Sequence, residues 1–240
     1  MSWASIHREE RDGRPVYVKR TTYDARLEAG GLLALALAGA PVPQVIFVDS
    51  EVLVIEEVTG SPDWAKLGRS LAQVHRCTED RYGFDYDNVI GSLRQDNTWT
   101  PSWNEFYVTN RIRPWLGALP TSTRRRIEDA IAGPMTGLLE HGQTPSLLHG
   151  DLWSGNVVDG SYLIDPAVSY GDRELDLAFS TVFGGIPAEF HAGYHEAWPL
   201  DDGWERRRPA LQLYHLLVHV ELFGRSYVSM VELRLEQLGW

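Results

Sequence analysis

His149-Gly150-Asp151 is followed by Asn156, five positions after Asp151, and then by Asp165. Between Asn156 and Asp165, the pairs Val157-Val158 and Tyr162-Leu163-Ile164 flank Asp159-Gly160-Ser161, the text of a short hairpin. A hairpin brings its two ends together, so the amide oxygen of Asn156 and the carboxylate of Asp165 can reach one point. An amide oxygen beside a carboxylate is hard-oxygen ligation, suited to Mg²⁺. Asp151 lies on the loop leading in, where a third acidic group can accept or orient the proton of an attacking alcohol. That set of groups is what phosphoryl transfer to a hydroxyl requires.

The surrounding text supplies elements to hold these groups. Ser5 to Glu10 and Pro15 to Lys19 read as strands, with Asp12-Gly13 as the turn between them. Tyr23 to Ala38 reads as a helix with Leu27, Leu32, Leu35 and Ala38 near one face, weakened by Gly30-Gly31 and ended by Pro41 and Pro43. Val45–Val48 and Val52–Ile55 form a hairpin around Asp49-Ser50-Glu51. After Thr59-Gly60 helices dominate. Ser61-Pro62 starts one that carries Trp64, Leu67, Leu71, Val74 and His75 at helical spacing. Trp103 to Leu116, Thr123 to Glu140 (interrupted at Gly133-Pro134) and Ala210 to Phe223 are further helices. The reading is α+β and two-lobed: a small sheet-containing lobe over residues 1–58 and a larger, mainly helical lobe over residues 59–240.

Composition narrows the function. The 240 residues are 43% hydrophobic and 11% aromatic, which excludes a disordered chain. Twenty-two basic against 33 acidic residues give a net charge of −11, the wrong sign for a general nucleic-acid or anionic-membrane binder. One cysteine excludes an internal disulfide framework and a cysteine-based zinc site, and Cys77 reads as an inert buried thiol. The N-terminal residues lack the apolar core of a signal peptide, and the apolar stretch from Gly31 to Val42 is too short to span a bilayer. The expectation is a soluble cytoplasmic protein. Arg124-Arg125-Arg126, beside Glu128 and Asp129, reads as a solvated helix face. His75 reads as a packed histidine. His215 and His219 share a helix face but lack a third ligand, so packing or contact with an acceptor is expected of them.

The spacing His-x-Asp, Asn, Asp resembles the catalytic loop of eukaryotic-type kinases, with Asp165-Pro166-Ala167 in place of Asp-Phe-Gly. Gly150-Asp151-Leu152 with Gly155-Asn156 is similar to the aminoglycoside phosphotransferase and choline kinase superfamily. The longer text, His149 to Asn156 and then Ile164 to Ala178, resembles the fructosamine kinase family. So do Phe183-Gly184-Gly185, Leu213 to Leu217 with Phe223-Gly224, Tyr82-Gly83-Phe84, Asn88 to Gly91 and Gln95-Asp96-Asn97. The resemblance runs from about Val16 to about Tyr227.

It implies a protein-kinase-like fold that uses ATP and Mg²⁺. Asp151 would be the catalytic base, and Asn156 and Asp165 would hold Mg²⁺. Lys19 would pair with the α/β-phosphates, and Glu28 would hold Lys19 by an ion pair. Glu56, Glu57 and Val58 would be the hinge whose backbone meets adenine. Trp153 would line the acceptor pocket. Asp172, Arg173 and Glu174 would lie near the acceptor, although Arg173 and Glu174 equally suit a surface ion pair. Asp176 would brace the loop near His149. The acceptor implied is the 3-hydroxyl of a fructosamine or ribulosamine, as a small-molecule ketoamine or on a glycated protein lysine.

Two other readings compete: an aminoglycoside- or choline-type small-molecule kinase, and a catalytically silent nucleotide-binding relative. The second is motivated by the N-terminal text. The family's first strand and Gly-containing phosphate loop have no counterpart there, and Gly13 is the only glycine ahead of Lys19.

Overall fold

The structure is a computed structural model, and it describes residues 4–240. β1 (Ala4–Arg11) and β2 (Arg14–Thr21) pair antiparallel through Asp12-Gly13. Both turn residues have positive φ, 50° and 73°, the mirror-type turn whose twist matches the strands. α1 (Arg26–Leu37), β3 (Val45–Val48) and β4 (Val52–Glu56) complete a four-stranded sheet in the order β1-β2-β4-β3. Strand alternation sorts its side chains. Val16, Val18, Val52 and Val54 form one apolar cluster, while Leu53 packs with Ala25, Ala29 and Leu32 of the α1 region.

Two details of α1 differ from the sequence reading. The helix begins at Arg26 rather than Tyr23, because the Asp24 carboxylate accepts the Arg26 N–H at 3.1 Å and leaves Tyr23 in the preceding loop. The Gly30-Gly31 pair does not break it. A Cβ on Gly31 would lie 3.0 Å from Cγ of Pro166, and one on Gly30 would lie 2.2 Å from the Tyr86 hydroxyl. The glycines mark where segments of the second lobe press against the helix.

The rest is mainly helical. α2 (Trp64–His75) is capped by the Asp63 side chain, which accepts from the Lys66 N–H. β5 (Asn88–Ile90) and β6 (Leu93–Gln95) form a small hairpin. The predicted helix from Trp103 to Leu116 is instead three short pieces: α3 (Trp103–Phe106), a π-helical turn over Tyr107–Ile112 and a 3₁₀ stretch over Arg113–Ala118. Pro114 has no N–H to continue an α-helical ladder. α4 (Thr121–Ala132) and α5 (Pro134–Leu139) break at Gly133 as expected. β7 (Ser146–Leu148), β8 (Val157–Val158), β9 (Tyr162–Leu163) and β10 (Ser169–Gly171) follow, the middle two as the expected hairpin. α6 (Glu174–Ser180), α7 (Ala188–Ala197), α8 (Trp204–Phe223) and α9 (Val228–Leu238) close the chain. α8 starts earlier than predicted and contains Pro209.

The helical lobe has two apolar clusters, and the strand leading into His149 runs between them. Leu148 joins the cluster of Trp103, Leu175 and Leu217, whereas Leu147 joins that of Leu71, Leu163 and Phe190. The segment from His149 therefore leaves a strand anchored on both sides. Cys77 is half-buried rather than buried. Arg126 is not simply solvated, since its guanidinium donates to the Trp240 carbonyl. No helix among the described residues is long and apolar enough to cross a membrane.

The contact of α1 with Pro166 gives a first prediction. Gly31→Val forces two extra methyl groups beyond a Cβ that is already tight, and should cost about 1–3 kcal/mol of stability. Urea unfolding monitored by tryptophan fluorescence measures it, and an unchanged midpoint would show that the helix moves freely off Pro166.

Candidate active site

The loop after β7 is fixed by an unusual density of buried hydrogen bonds. Asp176, at the start of α6 and fully buried, accepts the backbone N–H of His149 at 2.7 Å and of Gly150 at 2.9 Å. The ring of His75 reaches the same carboxylate at 3.2 Å. Burial alone would raise the Asp176 carboxyl, but the His75 hydrogen bond and the surrounding donors hold it below its usual range. Gly150 has φ 83°, and a Cβ there would lie 1.9 Å from the Ala167 carbonyl oxygen, so only glycine fits. His215, pushed down to about 3 by burial and therefore neutral, donates from Nε2 to the Gly150 carbonyl at 2.8 Å.

His149 ties the two halves of the site together. Its Nδ1 accepts the Asp151 N–H at 3.2 Å and its Nε2 donates to the Ile164 carbonyl at 3.0 Å. That pattern uses one acceptor and one donor, which is the neutral imidazole, and burial lowers its affinity for a second proton. One ring thus spaces the residue before Asp165 from the backbone of Asp151. The β8–β9 hairpin closes the other side, with the Ile164 N–H donating to the Asn156 carbonyl at 3.1 Å.

Asn156 donates from Nδ2 to the Asp151 carbonyl at 2.8 Å and to the Asp151 carboxylate at 2.9 Å. This fixes the amide so that Oδ1 is its free acceptor. Asp165 holds a left-handed backbone, φ 54°, which is strained for a non-glycine residue and common at functional sites. Its Oδ1 accepts from Lys19 Nζ at 2.9 Å. Lys19 also donates to Glu28 at 2.7 Å, and the Tyr23 hydroxyl donates to the same Glu28 oxygen at 2.7 Å. Burial opposes a charge on Lys19, yet Glu28 and Asp165 outweigh it and keep the ammonium strongly cationic. Burial pushes Glu28 up against the pull of Lys19. The donor set left over, Asn156 Oδ1 and the Asp165 carboxylate, fits a hard divalent cation.

Lys19, Glu28, Asp151, Trp153, Asn156 and Asp165 line one cavity of about 210 Å³ between the sheet lobe and α8. The structure brings these predicted residues together. It does not bring in Asp172, Arg173 or Glu174, and this corrects the sequence reading. Asp172 is buried against His141 at 2.9 Å. Arg173 neither lines this cavity nor lies on the surface: it is buried, lies over the Trp198 ring at 4.1 Å, and donates to the carbonyls of Trp198 and Pro199. Glu174 takes a two-pronged bond from Arg207 at 2.7 and 2.6 Å. These groups anchor α6 to α8 and to the segment after α7.

The hinge expectation is also narrowed. The N–H of Glu56 donates to the Gln44 carbonyl and that of Glu57 to the Pro15 carbonyl, so both are spent within the sheet lobe. The Glu57 carboxylate pairs with Arg8. Among the described residues, no partner is seen for the Val58 N–H.

Sequence reasoning missed Tyr23, because its position read as helix. It also missed the hairpin amides. Asn88 donates to the Val168 carbonyl at 2.8 Å, and Gln95 donates to Asn88 at 2.9 Å and to the Ala167 carbonyl at 3.1 Å. Asn88 and Gln95 stood in the text that carries the resemblance, but spacing assigns them no task. They hold the chain just beyond Asp165.

Asp151 stands out electrostatically. Burial raises its carboxyl to about 7, Asn156 pulls against that, and the charges of Asp165 and Asp176 add to it. Its ordinary value is 3.8, so the unfolded chain loses this proton more easily than the folded one. The favourable contribution is complete below pH 4 and is lost as pH rises through about 7. Asp151→Asn keeps the Asn156 hydrogen bond without the charge. At pH 8 it should unfold a few degrees higher than the parent, with the gap closing near pH 4. Scanning calorimetry across that range checks it, and a lower melting temperature at pH 8 would contradict the assigned cost.

Residues 12–239 match the fructosamine kinase family. A Vibrio cholerae protein named a probable ketoamine kinase is 40% identical over 179 residues, 72% of this chain and 62% of the relative. A chloroplastic protein-ribulosamine 3-kinase of Oryza sativa subsp. indica is 40% identical over 181 residues, 70% of this chain and 52% of the relative. The chain therefore spans between half and two thirds of the length of these curated relatives. A crystal structure from Thermobifida fusca, provisionally named a fructosamine-3-kinase, superposes with a TM-score of 0.88 at 34% identity over 98% of this chain and 93% of that one. A Mesorhizobium loti choline/ethanolamine kinase family protein, with a TM-score of 0.60 at 16% identity and coverage of 98% and 87%, shares the fold alone. With the match running from the first turn to the last helix and the two-lobed architecture superposing, this chain belongs to the fructosamine kinase family.

Proposed function

We propose that the protein transfers the terminal phosphoryl group of ATP to the 3-hydroxyl of a ketoamine, a fructosamine or ribulosamine adduct on an amine. One observation carries the reading: Asp151, Asn156, Asp165, Trp153 and the Lys19–Glu28 pair line the same cavity. The family assignment supports it, as do relatives named as ketoamine and ribulosamine kinases.

The chain's own groups divide the work. Asp151 accepts the proton of the acceptor hydroxyl as its oxygen attacks phosphorus, and its raised carboxyl is poised near neutral pH for that exchange. Asn156 orients that carboxylate through its Nδ2 hydrogen bond. Lys19, steadied by Glu28 and Tyr23, offers an ammonium to the phosphates. Asn156 Oδ1 and Asp165 are the residues that would hold Mg²⁺, which when bound offsets the phosphate charge. The backbone of Val58, just beyond the end of β4, is the group of the expected hinge left to meet the nucleotide base. Trp153, whose ring meets Phe183 edge-on at 6.1 Å, gives a flat face to a sugar.

The test is ADP release from Mg·ATP with ribulosyl- or fructosyl-lysine, repeated with Asp151→Asn. Turnover should appear and fall by orders of magnitude in the variant. Equal rates would remove Asp151 from the mechanism. ADP release only with an aminoglycoside or an amino alcohol would move the acceptor to another class, and a thermal shift with Mg·ATP without turnover would favour a silent relative. In the parent protein, kcat/KM for the acceptor should decline as pH falls below about 7, because protonated Asp151 cannot accept the hydroxyl proton. A profile flat from pH 5 to 8 would count against that role.

A further inference from the structure

The cavity is chemically lopsided. Three carboxylates, Glu28, Asp151 and Asp165, line it, with Lys19 as the one cationic side chain among the described residues lining it. Lys19 is already held by Glu28 at 2.7 Å and Asp165 at 2.9 Å. Its remaining wall includes Val89, Ile90, Val218 and Leu222, together with His219. His219 brings no charge. Its Nδ1 donates to the His215 carbonyl at 2.7 Å, so Nε2 carries the lone pair, and burial lowers its affinity for a second proton.

In a ketoamine the nitrogen is only a few bonds from the 3-hydroxyl. With that hydroxyl at Asp151, the nitrogen and the first atoms of its substituent must lie along the rest of this cavity. An ammonium there meets carboxylates, a neutral ring acceptor and aromatic faces. A carboxylate there meets like charge and apolar wall, with no donor cation, and burying an unpaired charge is strongly unfavourable. The nucleotide, even with Mg²⁺ offsetting part of its phosphate charge, brings a net negative charge to the same cavity.

From this arrangement, and resting on the phosphotransferase reading above, we infer that the site selects its ketoamines by charge. It takes adducts whose amine substituent is neutral or cationic near the nitrogen, as in an alkylamine or a lysine side chain. It rejects adducts of amino-acid α-amines, whose carboxylate sits beside the nitrogen. Rejection by an uncompensated charge gives specificity without any extra contact to the favoured substrate.

Three ketoamines of one sugar test it: the adducts of butylamine, glycinamide and glycine, assayed by ADP release at saturating Mg·ATP. Glycinamide and glycine are nearly the same size and differ in the charge. The butylamine and glycinamide adducts should agree within about threefold in kcat/KM, and the glycine adduct should fall at least about tenfold below its amide. Leu222→Lys supplies the missing cation on the apolar wall, and should bring the glycine adduct to within about threefold of the amide. Equal kcat/KM for glycine and glycinamide adducts in the parent protein overturns the charge selection and leaves the kinase reading intact. No ADP from any of the three overturns both. The parent series decides even if the lysine variant does not fold.

Discussion

The structure depends on one neutral imidazole. His149 spans the gap between the Asp151 N–H and the Ile164 carbonyl, joining the two segments of the site. The bridge works only while the ring carries a single proton. A second proton would turn the acceptor at Nδ1 into a donor facing another donor, inside a fully buried pocket. Burial therefore does more than pack the residue: it fixes the protonation state that lets the ring act as a spacer. The backbone of His149 is held in turn by Asp176, so the position of Asp151 is set through buried groups that never touch a substrate.

The second constraint joins the lobes. Lys19 on β2 meets Glu28 on α1 and Asp165 on the far lobe, and α1 itself rests on Pro166, the residue after Asp165. The metal-type carboxylate and the helix carrying Glu28 are therefore located by the same short segment. Asn88 and Gln95 hold the next two carbonyls, Ala167 and Val168, from the opposite side. The chain beyond Asp165 is consequently clamped within a folded core. A mobile segment in that place would leave Lys19 and Asp165 free to drift apart, and their contact would have to be rebuilt in each catalytic cycle.

Much of this was legible in the residues because local rules dictate it. Asp159-Gly160 forces a turn, the turn pairs Val157-Val158 with Tyr162-Leu163, and the pairing brings Asn156 beside the approach to Asp165. Lys19 and Glu28 were legible through resemblance, since a lysine on a strand and a glutamate on a helix say nothing alone about meeting. What failed was the reading of Asp172, Arg173 and Glu174. A run of charges just after a metal-type carboxylate reads as a polar lip of the site. Its partners, His141 and Arg207, lie in segments that no local rule connects to it. Tertiary pairing turned that lip into the buried anchor of α6. The broken helix after Trp103 failed for a similar reason, because its apolar periodicity was sound but Pro114 and the packing against α8 set another backbone geometry.

These buried polar groups occupy a seam. The two apolar clusters of the helical lobe meet along the line from Leu147-Leu148 to Leu175-Leu177, and the loop through Asp151 leaves the strand at that line. Apolar packing on both sides makes the loop rigid but offers nothing to its peptide groups. His75, Asp176, His215 and the hairpin amides supply the missing partners from four separate segments, and Gly150 admits the close approach of Ala167 that the crossing requires. A polar network in such a place must be nearly complete, because any member left unpaired keeps its full desolvation cost. Among the described residues, His215 Nδ1 is the one atom of these groups left without a partner, and the pairing of the rest holds the loop at the edge of the cavity. Asp151 accepts its side-chain hydrogen bond from Asn156 alone among the described residues, which leaves burial free to raise its carboxyl to about 7.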